Sequence, residues 1–142
     1  MKRILCIIMC FACFLMVSCS NTPSDSASGN YDIDLTLFSD TVAYSEVYHI
    51  VSSPDEYLGK QIRMRGTFST YQDPATALLY FACLVTDTTS CCSQGIEFLL
   101  ANPPRYPDGY PPVGSEITVS GELQTYEENG TVYCRLNDAR LE

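Results

Sequence analysis

The chain has 142 residues, 17 acidic against 8 basic, a formal charge of -9 at neutral pH and an apolar share of 46 %. That length holds one core once the ends are set aside and excludes a second domain of ordinary size. The charge weighs against a phosphate-rich partner, because nucleic-acid binders neutralise the backbone with basic patches.

The N-terminus reads as an export signal. Lys2 and Arg3 precede an uncharged run from Ile4 to Val17, too short for a permanent membrane helix and the right length for a signal-peptide core. Its end, Met16-Val17-Ser18-Cys19, resembles the lipobox of bacterial lipoproteins, with Met16 in place of the usual leucine. That resemblance implies that the small Ser18 admits the peptidase and that the Cys19 thiol receives a diacylglyceryl group and becomes the mature N-terminus; the alternatives are a plain secretory signal with an incidental cysteine and an uncleaved anchor. Residues 1–18 are then the signal peptide. Two acyl chains anchor stably where one is marginal, which places the mature protein on the extracytoplasmic face of the cell membrane without spanning it. From Ser20 to Asn30 only Ser, Asn, Thr, Pro, Asp, Ala and Gly occur, so 19–30 is a flexible tether.

Residues 31–142 carry the folded domain. Tyr31 to Phe38 alternates Ile33, Leu35 and Leu37 with polar residues, as a short strand or an extended lead-in does. Ser39-Asp40-Thr41 offers helix N-caps, and Val47, Ile50 and Val51 share a helical face as far as Ser52. The lone His49 lies in that helix and reads as an ordinary helical residue rather than a ligand. Ser53-Pro54-Asp55-Glu56 predicts a second start with a capping box, ended by Gly59.

From Gln61 the period becomes two. Ile62, Met64, Gly66 and Phe68 face one way; Leu79, Phe81, Cys83 and Val85 do so on a second strand between Ala77 and Asp87. Ile96, Phe98 and Leu100 mark a third strand, Ile117, Val119, Gly121 and Leu123 a fourth, and Val132, Cys134 and Leu136 a fifth after the hairpin turn at Glu127-Glu128-Asn129-Gly130. The proline-rich 103–112 reads as an ordered loop whose tyrosines pack over the end of a barrel, the alternative being a ligand-facing platform. The pattern predicts a mainly β protein: a small five-stranded OB-like barrel with an N-terminal helix, the alternatives being an SH3-like barrel or a small sandwich.

Two stretches, Pro54-Asp55-Glu56-Tyr57-Leu58-Gly59-Lys60 and Cys91-Cys92-Ser93-Gln94-Gly95-Ile96-Glu97-Phe98, together with Gly121 and Tyr133-Cys134-Arg135-Leu136, resemble a group of OB-fold-like lipoproteins of anaerobic Firmicutes that carries no assigned activity. A thinner similarity links the Cys91-Cys92 pair to membrane proteins of a zinc-responsive, permease-associated type. Those have an Ala-Asp run where this chain has Ser93-Gln94-Gly95, and the similarity implies metal handling.

Eight cysteines divide into Cys6, Cys10 and Cys13 of the leader, Cys19, and four in the domain: Cys83, Cys91, Cys92 and Cys134. An even number in an extracytoplasmic domain suggests two disulfides, Cys91 and Cys92 each taking a distant partner, Cys83 or Cys134, because adjacent cysteines bond each other only with a strained peptide. The same four thiols also suit a soft metal, Zn2+ or Cu+. Cys83 and Cys134 read equally as inert core thiols. No Ser-His-Asp set, phosphate-cradling glycine loop or paired carboxylates of recognisable spacing accompanies them, and no base neighbours Cys91-Cys92. The function these features predict is a membrane-anchored binding module, handling a soft metal through the cysteines, rather than an enzyme. Its alternatives are a disulfide-stapled interaction domain without metal and a thiol-redox protein.

Overall fold

Gln61 opens the alternation that builds the barrel. The computed structural model of the protein describes residues 30–142; the expected signal peptide (1–18), Cys19 and all but the last residue of the expected tether (19–30) lie outside the described residues. In β2 (Gln61–Gln72), Ile62, Met64 and Phe68 point inward and are fully buried. After it come β3 (Leu79–Thr86), β4 (Ser93–Leu100), β5 (Glu116–Glu128) and β6 (Thr131–Leu141). β2 pairs antiparallel with β3 and with β5, β3 with β4, and β5 with β6. β4 runs parallel to β6, which closes the ring β2-β3-β4-β6-β5 back onto β2. The parallel third and fifth barrel strands, with the fourth closing on the first, make this the OB-like barrel of the expectation and not a sandwich.

All seven side chains that alternation places inside most firmly, Ile62, Met64, Phe68, Phe98, Ile117, Val119 and Leu136, are buried. Each fully buried one contributes about 1.5–3 kcal/mol of transfer free energy. Gly66 and Gly121 serve close backbone approach: a Cβ at Gly66 would stand 2.3 Å from the Leu84 carbonyl oxygen, and one at Gly121 2.8 Å from that of Asn137, beside the β5–β6 register shift. Asn129 and Gly130 both take left-handed φ, 52° and 78°, as a two-residue hairpin turn requires. Val132, expected to share the inward face with Cys134, is 60 % exposed, because it sits one residue into β6 at the hairpin tip, beyond the reach of the core.

The ambiguous stretch after Tyr31 resolves into β1 (Ile33–Asp34), parallel to the start of β2, and a 3-10 turn at Leu35–Leu37. Asp34 sets the turn by accepting the backbone N–H and the hydroxyl of Thr36. Helix α1 (Asp40–Ser52) buries Ala43, Val47 and Ile50 against β3 and β4; Val51, expected on that face, is turned largely outward. The capping box at Ser53 is not formed. The Ser53 N–H closes α1 on the His49 carbonyl at 2.9 Å, and the Glu56 N–H bonds the Ser53 carbonyl, leaving only a 3-10 turn at Pro54–Glu56.

The helix therefore covers the barrel mouth formed by the end of β3 and the starts of β4 and β6. The opposite mouth is covered by the loop 101–115, whose Tyr110 ring stacks on Phe81. His49 is exposed on α1.

Candidate metal centre

The β3–β4 hairpin ends in the pair Thr86–Ser93, and residues 87–92 form its loop at the helix-covered mouth. Polar residues with no core to join leave the loop to organise itself around Asp87. The Asp87 N–H bonds the Cys92 carbonyl at 3.1 Å and its own carbonyl accepts the Ser90 N–H at 3.0 Å, while Ser90 takes a left-handed φ of 56° to reverse the chain. Asp87 Oδ1 accepts the backbone N–H groups of Cys91 (3.0 Å) and Cys92 (3.4 Å). Asp87 Oδ2 accepts the Thr89 hydroxyl at 2.8 Å and the Cys91 thiol at 3.5 Å. The two sulfurs lie 3.4 Å apart.

One ligand atom from each of Asp87, Cys91 and Cys92 thus falls within 4.8 Å of the others, with both cysteines exposed. The hydrogen bond from Thr89, reinforced by the backbone N–H groups, holds the Asp87 carboxyl below the usual carboxylate range, so it is an anion at neutral pH. The hydrogen bond to Cys91, and then its charge, pushes the Cys92 thiol up: two thiolates side by side repel unless a cation joins them. Two thiolates bound at about 2.3 Å in a tetrahedral site stand about 3.8 Å apart, so the pair needs only a few tenths of an ångström of adjustment. With the carboxylate as a third donor, an open position remains, as in three-ligand zinc sites.

The other two predicted ligands do not join this group. Cys83 lies three residues down β3 from Thr86, about 10 Å along the strand. It is fully buried, and burial pushes its thiol up to about 12. Cys134 is also buried; its thiol points at the Ile50 carbonyl of α1 at 4.0 Å and is pushed up by burial and by Glu97. Nor do these two meet. Cys83 pairs with Ile96, and the register Glu97–Arg135 puts Cys134 beside Ile96 on the other side, so two strand spacings, about 9.6 Å, separate them. Disulfides need Cα atoms within about 7 Å. All four domain cysteines are free thiols.

Asp87 is the donor that sequence reasoning missed. Its signal was an aspartate at the head of the Thr/Ser loop before Cys91, a residue type whose carboxylate readily bonds the backbone that follows it. A second missed cluster lies on the outer face, where Tyr126 donates to Glu97 at 2.7 Å, Tyr80 donates to Glu128 at 2.8 Å, and the Arg135 guanidinium sits 4.8 Å over the Tyr126 ring. It depends on β5 and β6 bending across β3 and β4, which no local pattern announces. Beside the root of the loop, a cleft of about 380 Å³ is lined by Asp40, Arg65, Thr67, Leu84, Thr86 and Glu116 among others.

No protein-family model matches the chain, and no curated protein does. Among solved structures, the chain is similar, at 17 % identity, to the crystal structure of a "putative nucleic acid-binding lipoprotein" from Klebsiella pneumoniae; the alignment covers 84 % of this chain and 98 % of that one, with a TM-score of 0.41. The barrel is defined by its own strand order and register. Among the described residues, no helix is long and apolar enough to cross a membrane.

Proposed function

We propose that the protein is a lipid-anchored, extracytoplasmic binding module that takes up one soft metal ion, Zn2+ or Cu+, on Cys91, Cys92 and Asp87. The observation that carries this reading is the 3.4 Å separation of two exposed sulfurs beside an ionised carboxylate. Each component has its task. The sulfurs supply soft, charged donors once their protons leave, and the carboxylate offsets part of a divalent charge. The loop hydrogen bonds from Cys91 and Cys92 to Asp87 Oδ1 hold the three donors together before any ion arrives, which lowers the ordering cost of binding. The lipobox at Cys19 and the polar tether support display on the outer side of the membrane. The overall charge of -9 favours cations and repels polyanions.

Native mass spectrometry of the reduced protein, after addition of one equivalent of Zn2+ or Cu+ under argon, tests the reading. One bound ion is expected, lost in Cys91→Ser/Cys92→Ser, weakened about tenfold in Asp87→Asn, and unchanged in Cys134→Ser. Retention by the double serine variant, or no retention by the wild type, rejects the site.

A further inference from the structure

We propose that Cys91 and Cys92 close reversibly into a disulfide with each other, and that this closure switches the donor site off; the switching, though not the bridge, rests on the metal reading above. Among the described residues, the fold leaves each of them no other intramolecular partner. Cys83 and Cys134 are buried on the inward faces of β3 and β6, on either side of Ile96, and Cys83 is about 10 Å down its strand from the root of the loop. The exposed pair already has its sulfurs 3.4 Å apart, so a bond of about 2.05 Å needs an approach of about 1.4 Å. Rotation of both side chains together with distortion of the peptide between them, on an exposed loop, supplies that movement without disturbing the barrel.

Adjacency makes the bridge labile. Neighbouring Cα atoms are about 3.8 Å apart across a trans peptide, shorter than the ordinary disulfide range of about 4.4–6.8 Å. A bridge forced into that small ring is strained, and strained, exposed disulfides are the easily reduced, regulatory ones. The oxidant required is an external disulfide, the common currency of oxidising compartments. The Cys91 thiol gives its proton to solvent and attacks one sulfur of that disulfide, whose S–S bond breaks; one half leaves as a thiolate and takes a proton. The Cys92 thiol, likewise deprotonated, then attacks Cys91 Sγ in the mixed disulfide and expels the second half, which is protonated in turn. The two cysteines lose two electrons and two protons, and the external disulfide becomes two thiols.

Closure removes both thiolates that a metal needs and breaks the Cys91 thiol contact to Asp87 Oδ2. The anion of Asp87 is then left without soft partners. Reduction by a dithiol restores the pair.

The full-length protein in detergent, reduced and loaded with Zn2+, is exposed to glutathione disulfide, alkylated under denaturing conditions and cleaved before aspartate. Cuts before Asp87 and Asp108 free a peptide that contains Cys91 and Cys92 and neither Cys83 nor Cys134. This peptide is expected two hydrogens lighter and unalkylated, zinc is expected to appear in the chelator-accessible pool, and dithiothreitol is expected to reverse both. Cys91→Ser should carry one glutathione on Cys92 instead. A wild-type peptide bearing glutathione on either cysteine, or joined to a second copy, overturns the proposal while leaving the metal reading intact. A bridge in a protein whose reduced form never held zinc upholds the bridge and rejects both the switching and the metal site.

Discussion

Tyr110 lies flat on Phe81, ring centroids 4.3 Å apart and planes inclined by 15°, and this contact fastens the proline-rich loop into the open mouth of the barrel. Phe81 in turn stands 6.1 Å from Phe68 and 6.2 Å from Phe98, so a loop residue completes an aromatic layer begun by three strands. Truncating Tyr110→Ala removes the lid of that layer and should cost about 2 kcal/mol in urea unfolding. Tyr110→Phe, which keeps the stack, should cost well under half as much. Equal midpoints for Tyr110→Ala and the wild type would show that the loop adds nothing to the core.

Gly66 offers a test of the barrel's closure. Its backbone passes so near β3 that a Cβ would meet the Leu84 carbonyl oxygen at 2.3 Å, an atom fixed in the sheet. Gly66→Ala should therefore destabilise by about 1–3 kcal/mol through overpacking. At Gly114 nothing lies within 4 Å of the added Cβ, but φ is +88°, so there the penalty is backbone strain. Crystal structures of the two variants should separate the causes: a displaced β3 in Gly66→Ala and an altered turn in Gly114→Ala.

Two carboxyls give pH dependences of opposite sign. Arg63 donates to Glu142 from Nη2 at 2.7 Å and Nε at 2.9 Å and, with Tyr31, holds that carboxyl below its usual range. Its stabilisation is full above the unfolded value of about 4.3 and is lost as pH falls through the folded value. Burial pushes Glu97 up, more than the Tyr126 hydroxyl and Arg135 pull it down. The folded chain then holds a proton there that the unfolded chain has released, so stability falls as pH rises from the unfolded value through the folded one. Glu97→Gln, which still accepts from Tyr126, should raise stability at pH 7 relative to pH 4. Glu142→Gln should flatten the acid side of the stability curve. Parallel curves for wild type and both variants would contradict the two assignments.

The anchor is tested at Cys19. Wild-type protein made in a bacterial host should enter the detergent phase, and Cys19→Ala should shift it to the aqueous phase. If Cys19→Ala partitions as the wild type does, the leader itself stays as the anchor.

Much of the barrel was written locally. Alternation at Ile62-Met64, Ile117-Val119 and Phe98 identifies inward faces, because a strand's side chains must alternate and only one side of a small barrel is dry. Asn129-Gly130 declares its own hairpin, since left-handed φ at both positions is inexpensive for those residues. The lipobox-like Met16-Val17-Ser18-Cys19 and the tether-like composition that follows it are likewise properties of short stretches. The fate of the cysteines was not, because sharing a metal or a bond depends on distances between strands far apart in the chain. Four thiols looked like one set until register put Ile96 between Cys83 and Cys134, and the hairpin carried Cys91 and Cys92 into a loop whose root lies about 10 Å along β3 from the first of them. Only the closed sheet decided which sulfurs are dry and which face water, and only the folded loop brought Asp87 to them. Burial is a cooperative consequence of all the strands at once, and no window of the sequence contains it.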